Sequence, residues 1–180
     1  MLYGLIAIIV ILVLWGVSVY NSLVTLLERV NNAKAQIATQ IESRWDALKS
    51  LIDATKKYSE HEATVLENVT EERASIGRGS SVSDIENDEA QFNNVLGRLI
   101  AVSEAYPDLK ASQVYQNTMD NIDKYENNVR NSRMIYNDTV TRYNRKIRVF
   151  PSNIIAGIFN FREREYFEAT ESKQDMPGWD

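Results

Sequence analysis

From Met1 through Leu27 the chain carries no charged side chain, and the stretch from Leu2 to Val19, LYGLIAIIVILVLWGVSV, is almost wholly aliphatic. A helix needs roughly 20 mostly apolar residues to cross a bilayer. A helix that is apolar on every face belongs in lipid or in the core of a large protein, and the rest of this chain is too polar to wrap one. Tyr3 and Tyr20 bracket the run. At ~1.5 Å per residue they stand ~25 Å apart, a match to two aromatic belts at the headgroups. The expected anchor is residues 1–22, with Leu2, Tyr3, Leu5, Ile8, Ile11, Leu14, Trp15 and Tyr20 meeting the membrane.

A cleaved signal peptide is the rival reading. It calls for a basic start, an apolar core of roughly 7–15 residues and a small-x-small cleavage site. No Lys or Arg precedes the run, the run is longer, and Ser18-Val19-Tyr20-Asn21-Ser22 holds no such site. The expectation is a retained, single-pass anchor.

Arg29 and Lys34 lie just beyond it, where basic residues bias a segment to the cytoplasm. The bulk of the chain is therefore expected on the cytoplasmic side. The net charge of -5 argues against nucleic acid as a partner and against adhesion to anionic lipid by charge alone. With no Cys there is neither a disulfide framework nor a Cys-ligated zinc.

Beyond the anchor the pattern is helical. Val30, Ala33, Ile37, Ile41, Trp45, Leu48, Ile52, Thr55 and Tyr58 recur at steps of three and four. Neither Gly nor Pro interrupts residues 17–76, so anchor and stripe can form one helix. Ser59-Glu60-His61-Glu62 reads as a capping box opening a second helix, with Val65, Leu66, Val69, Arg73 and Ile76 facing inward. Gly77-Arg78-Gly79-Ser80-Ser81 is a break. Ser83-Asp84-Ile85-Glu86 repeats the box before a third helix carrying Ile85, Phe92, Leu96, Leu99, Val102 and Tyr106, which stops at Pro107. The fourth is the most regular: Val114, Thr118, Ile122, Tyr125, Val129, Ser132, Tyr136, Val140, Tyr143, Ile147 and Phe150 cover 36 residues in ten steps. Its other face is rich in Asn, a mediocre helix former, so packing must hold it. After Pro151 comes a short apolar piece with Ser152 as its cap, then an acidic end.

Chemistry is sparse. His61 is the only His, beside Glu60, Glu62 and Glu67. It lacks the second His of an H-E-x-x-H motif, and zinc sites need three or four ligands. The Gly77–Ser80 segment lacks the Walker pattern. The Tyr125, Tyr136 and Tyr143 stripe reads as core. The carboxylates Glu71, Glu72, Glu86, Asp88 and Glu89 lack the two E-x-x-H motifs of a di-metal bundle. No enzyme activity, cofactor or metal is expected; a metal site at His61 is the remote alternative.

An ordered set of short pieces resembles the LemA family. They are Asn21, Leu23, Val24 and Leu26; Arg29-Val30-Asn31-Asn32-Ala33 with Ala35-Gln36-Ile37; and Tyr58 to Glu62. Further on come Glu104 to Ala111, Tyr136-Asn137, Tyr143-Asn144, Phe150 to Ala156, and Tyr166-Phe167-Glu168-Ala169. The resemblance spans nearly the whole chain and implies a single-pass membrane protein with a helical bundle, with no established activity. Two departures stand out. Lys34 replaces a frequent aromatic, which leaves that face more polar. Lys49-Ser50 replaces a frequent Pro, which straightens the first helix.

The architecture expected is all-α: the anchor, then an antiparallel up-and-down four-helix bundle over 23–150, then an apolar short helix and acidic tail over 151–180. The alternative is three long arms with a broken middle helix at Gly77–Gly79. Four arms return the tail to the membrane; three put it at the far end. Ile154, Ile155, Ile158, Phe159 and Phe161 form an apolar patch. It either caps the bundle or docks on the bilayer or a neighbouring subunit. Two functions fit: a self-associating, coiled-coil-like scaffold that organises or shapes the membrane, and a tethered adaptor for an unidentified soluble protein.

Overall fold

A computed structural model of the chain describes residues 2–60, 76–77 and 79–167, with Thr64, Leu66, Asn68 and Thr70 in between. Helix α1, Leu2–Thr55, is unbroken over 54 residues, about 80 Å at ~1.5 Å per residue. The apolar span and the amphipathic stripe are thus one rod. Lys49 and Ser50 continue it, the Ser50 hydroxyl donating to the Asp46 carbonyl at 3.0 Å. The stripe expected to face inward is buried from Val30 to Thr55, with Tyr58 packed at its edge.

Beyond α1 and the helical residues between Tyr58 and Ser80, the described elements are α2 (Val82–Ala105), the single-turn α3 (Pro107–Lys110), α4 (Gln113–Arg148) and α5 (Ser152–Ile158). The capping box of α2 lies two residues earlier than the sequence pattern suggested. Ser81, not Ser83, is the cap. Its hydroxyl accepts from the Asp84 amide at 3.0 Å while the Asp84 carboxylate accepts from the Ser81 amide at 2.7 Å. These bonds hold the Asp84 carboxyl below the usual Asp range. Aspartate serves because it reaches the cap amide as Glu does in the commoner box. The buried seam of α2 runs Ile85, Asp88, Phe92, Val95, Leu99, Ser103, so the expected Leu96, Val102 and Tyr106 flank it.

On α4, two ends of the expected stripe are corrected. Tyr115 is buried where Val114 was expected, and Val114 is exposed. The helix ends at Arg148, and Phe150, expected in the stripe, is 75% exposed.

The sense of each helix follows from its cross-contacts. Lys34 donates to the Ser80 carbonyl, Trp45 to Asp88, and Tyr58 stacks near Tyr106, so α2 runs parallel to α1. Asn128 donates to Gln40, and Arg44 faces Glu126, so α4 runs antiparallel to both. These are the senses of the first, third and fourth arms of an up-and-down bundle. Between Tyr58 and Ser80 the chain crosses back from the level of Tyr106 to that of Lys34. Thr64, Leu66, Asn68 and Thr70 are helical there, and Leu66 and Ile76 join the common core. The expected second capping box at Glu62, the facing residues Val65, Val69 and Arg73, His61 and its neighbours, and the acidic end from Glu168 lie outside the described residues.

A charged layer interrupts the core at Arg44 and Asp88. Arg44 is 1% exposed. Its guanidinium lies 3.9 Å from the Phe92 ring centre, 3.9 Å from Asp88 and 3.7 Å from Glu126. Burial pushes its pKa down, yet guanidinium stays charged in proteins. Asp88 in turn accepts from the Trp45 indole at 3.1 Å, and Arg133 pairs with Glu89 beside it. Removing one member of such a layer strands a buried charge, at roughly 3–5 kcal/mol. Arg44→Ala should therefore lower the melting temperature by roughly 10 °C, followed by circular dichroism in detergent. The double variant Arg44→Met with Asp88→Asn, which leaves no stranded charge, should lose less. An Arg44→Ala variant as stable as the parent would mean that the layer contributes nothing.

Candidate membrane-facing site

The antiparallel course of α4 carries its end back to the anchor. The Ser152 hydroxyl lies 2.6 Å from the Lys146 carbonyl and 2.8 Å from that of Val149. It therefore closes the end of α4 instead of capping α5, whose cap position is Pro151, with no side-chain bond. A cis peptide joins Phe150 and Pro151.

Helix α5 then lies against the anchor. A Cβ on Gly16 would sit 3.5 Å from the Ile155 side chain, an ordinary contact. Ala156 is buried with Val19 and Leu23. The Tyr20 ring packs against Phe159 at 4.7 Å and Phe161 at 5.7 Å. The helix stops because Asn160 adopts φ 55, the left-handed position that Gly or Asn takes at helix ends. The Phe161 amide donates to the Ala156 carbonyl at 2.9 Å and the Asn160 amide to that of Gly157 at 3.3 Å. That bond pair is a Schellman motif, and it turns the chain back along α4.

Residues 161–167 run extended along α4, held by two asparagines. Asn144 donates to the Arg164 carbonyl at 2.8 Å and accepts from its amide at 2.9 Å. Asn137 does the same with Phe167, both at 2.9 Å. Each carboxamide pairs with a backbone amide and carbonyl as a neighbouring strand would. Seven helical residues rise ~10.5 Å, and three extended residues ~10 Å, so the two pairings are in step. Tyr136 donates to the Glu165 carbonyl at 3.1 Å, and burial pushes its phenol up. Phe167 closes the strap edge-on against Tyr136. The Tyr-Asn pair repeated seven residues apart is the sequence signal for this strap, visible in the sequence only as a family resemblance.

The apolar patch is divided. Ile155 and Phe161 pack inward against the anchor side, whereas Ile154, Ile158 and Phe159 are 50%, 69% and 56% exposed. Phe150 and Val149 extend the exposed half. Ile155 meets α1 at Gly16, about 6 Å from Tyr20 along the apolar span by helical rise. The anchor residues Leu2, Tyr3, Leu5, Ile8, Ile11 and Leu14 are exposed; Tyr20 packs against the foot, and Trp15 lies about 7.5 Å further into the apolar span by helical rise, beside the end of α4.

Charge is gathered at the same level. Residues 141–164 hold six basic side chains and one acidic. Glu163 pairs with Arg148, and Arg142 with Asp138 at 2.9 Å. Lys34, half-buried, donates to the Ser80 carbonyl at 2.9 Å, and desolvation lowers its pKa. The polar face expected there is thus used within the fold. Among the described residues no three metal-ligating side chains converge.

A helix long and apolar enough to span a membrane, continuous with a helical bundle whose end returns to it, defines a membrane-anchored all-helical protein. Residues 33–178 match the family model described as the LemA family. The chain belongs to the LemA family. It is similar to magnetosome protein MamQ 2 of Paramagnetospirillum magneticum, with 25% identity over 175 residues, covering 83% of this chain and 64% of that protein. MamQ of Magnetospirillum gryphiswaldense is 22% identical, at 82% and 64% coverage. Protein LemA of Metamycoplasma hominis is 27% identical over 158 residues, at 84% and 69%. The chain spans just under two thirds of the MamQ relatives' length. None of these names denotes an enzymatic activity.

Each asparagine contributes two hydrogen bonds of about 1 kcal/mol net. Asn144→Ala and Asn137→Ala should each speed hydrogen exchange at the amide they hold, Arg164 or Phe167, by about thirtyfold. Asn137→Asp keeps an acceptor for the Phe167 amide and loses only the donor to the Phe167 carbonyl, so its exchange should fall between the parent and Asn137→Ala. Unchanged exchange would show the strap to be held by Phe167 alone.

Proposed function

We propose that this protein is a non-enzymatic membrane scaffold that self-associates and organises or shapes the bilayer, with its bundle on the cytoplasmic side. The observation that carries the reading is the foot: α5 packed on the anchor with Ile154, Ile158 and Phe150 left facing outward, and with Phe159 still more than half exposed while its ring rests on Tyr20. An anchor alone needs no such foot. An apolar wedge in one leaflet occupies area there and not in the other, and the same outward face suits a neighbouring copy. The rigid α1 rod transmits the orientation of the bundle to the span. Arg29 and Lys34 favour the cytoplasmic side, and the basic end of α4 adds to them.

Mass measurement of the full chain in detergent tests the scaffold. A defined assembly is expected, reduced in size by Ile158→Asp with Phe159→Asp while helix content is kept. A monomer in both would favour the adaptor reading. Sidedness is tested separately. The chain has no cysteine, so Met134→Cys, at a 59% exposed position, gives a single label site. A membrane-impermeant maleimide should react only after cell lysis; labelling of intact cells would place the bundle outside.

A further inference from the structure

A pocket of about 280 Å³ opens between the anchor and the end of α4. Trp15, Val19 and Phe150 form its apolar wall, and Arg142, Arg145 and Lys146 its basic wall. The two walls are ordered along the membrane normal. Trp15 lies within the apolar span, below Tyr20. The bases lie on α4 before it reaches Val149 and Phe150 at the rim. A phospholipid has the same order, phosphate above and acyl chain below.

We propose that this pocket binds one anionic phospholipid from the leaflet the anchor crosses, its phosphate held by Arg142, Arg145 and Lys146 and its chain laid along Trp15 and Phe150. Arg142 already shares charge with Asp138. Among the described residues Arg145 and Lys146 have no acidic partner. A guanidinium fork beside an ammonium matches phosphate oxygens. The apolar wall selects a lipid over a free anion. A net charge of -5 is no obstacle, because the fold gathers bases at the membrane end and charge acts over a Debye length of about 8 Å. The inference depends on the anchor and not on self-association: the basic wall is on α4, away from Ile158 and Phe159, and only Phe150 borders both the pocket and the outward face of the foot.

The test is native mass spectrometry of the full chain in detergent with equimolar phosphatidylglycerol and phosphatidylcholine of matched chains. Phosphatidylglycerol adducts should exceed phosphatidylcholine adducts by on the order of tenfold at low salt, a preference that fades in roughly 0.5 M salt. Arg142→Gln with Arg145→Gln and Lys146→Gln should bring the ratio close to one. Lys49→Gln with Lys56→Gln and Lys57→Gln, the same charge change far from the rim, should leave it unchanged. Glycerophosphoglycerol, the headgroup without chains, should not displace the lipid. Equal binding of the two lipids, a preference that survives the rim substitutions, or displacement by the bare headgroup would each overturn the proposal. Should the triple variant lose helix content, Arg145→Gln alone, at an exposed position, reads the same preference at smaller amplitude.

Discussion

Everything outside the bilayer depends on the antiparallel seam between α1 and α4. The bilayer dictates one helix at the start of the chain, because backbone groups in lipid must be satisfied within the segment. That helix then continues as a rod on which a partner can lay an apolar stripe. Val30, Ile37 and Ile41 on α1 share a core with Val129, Tyr136, Val140 and Tyr143 on α4. Each such side chain contributes about 1.5–3 kcal/mol when fully buried. An Asn-rich helix has little propensity of its own to draw on. Without the seam α4 has no reason to form, and without α4 nothing returns to the membrane.

Apolar stripes slide more easily than polar ones, and polar groups here add position to the seam. At the middle of the bundle the Arg44 guanidinium, Asp88, Trp45 and Glu126 meet only when three helices are in one register. Near the membrane Asn137 and Asn144 read the backbone of the strap at two points in step with the helix. Between them lies mostly hydrocarbon. The strap, the Schellman turn at Asn160 and the contact of Tyr20 with Phe159 form one chain of constraints from α4 to the anchor. The foot is thereby held against the span instead of hanging from a linker.

The anchor, the all-α class, the unbroken first helix and the long fourth helix were legible because each is a local property. Hydropathy and period are set by neighbours within a few turns. The α2 cap stands two residues from the position the pattern suggests because Ser81 and Ser83 both precede a suitable acid, and only backbone geometry chooses between them. Phe150 fits the period of α4 but stands past its end, where Pro151 had already broken the helix. The apolar patch was legible as residues but not as a surface: Ile155 and Phe161 turn inward and Ile154, Ile158 and Phe159 outward. Asn137 and Asn144 were visible as a repeated Tyr-Asn pair. Their role was not, because their partners are the backbone of residues 20 and 30 positions away.

By itself the sequence determined that this chain has an N-terminal helix long and apolar enough to cross a membrane and builds helices beyond it. Those outcomes follow from uncharged length and from apolar spacing along one strand of chain. Tertiary structure alone decided what stands at the membrane rim. It set α4 antiparallel to α1, brought residues 142–164 beside residues 15–27, and so converted an acidic chain into one with a basic, apolar-footed anchor end. The reason is range. Helix formation sums contacts between near neighbours, whereas a surface sums groups that only packing across more than a hundred residues brings together.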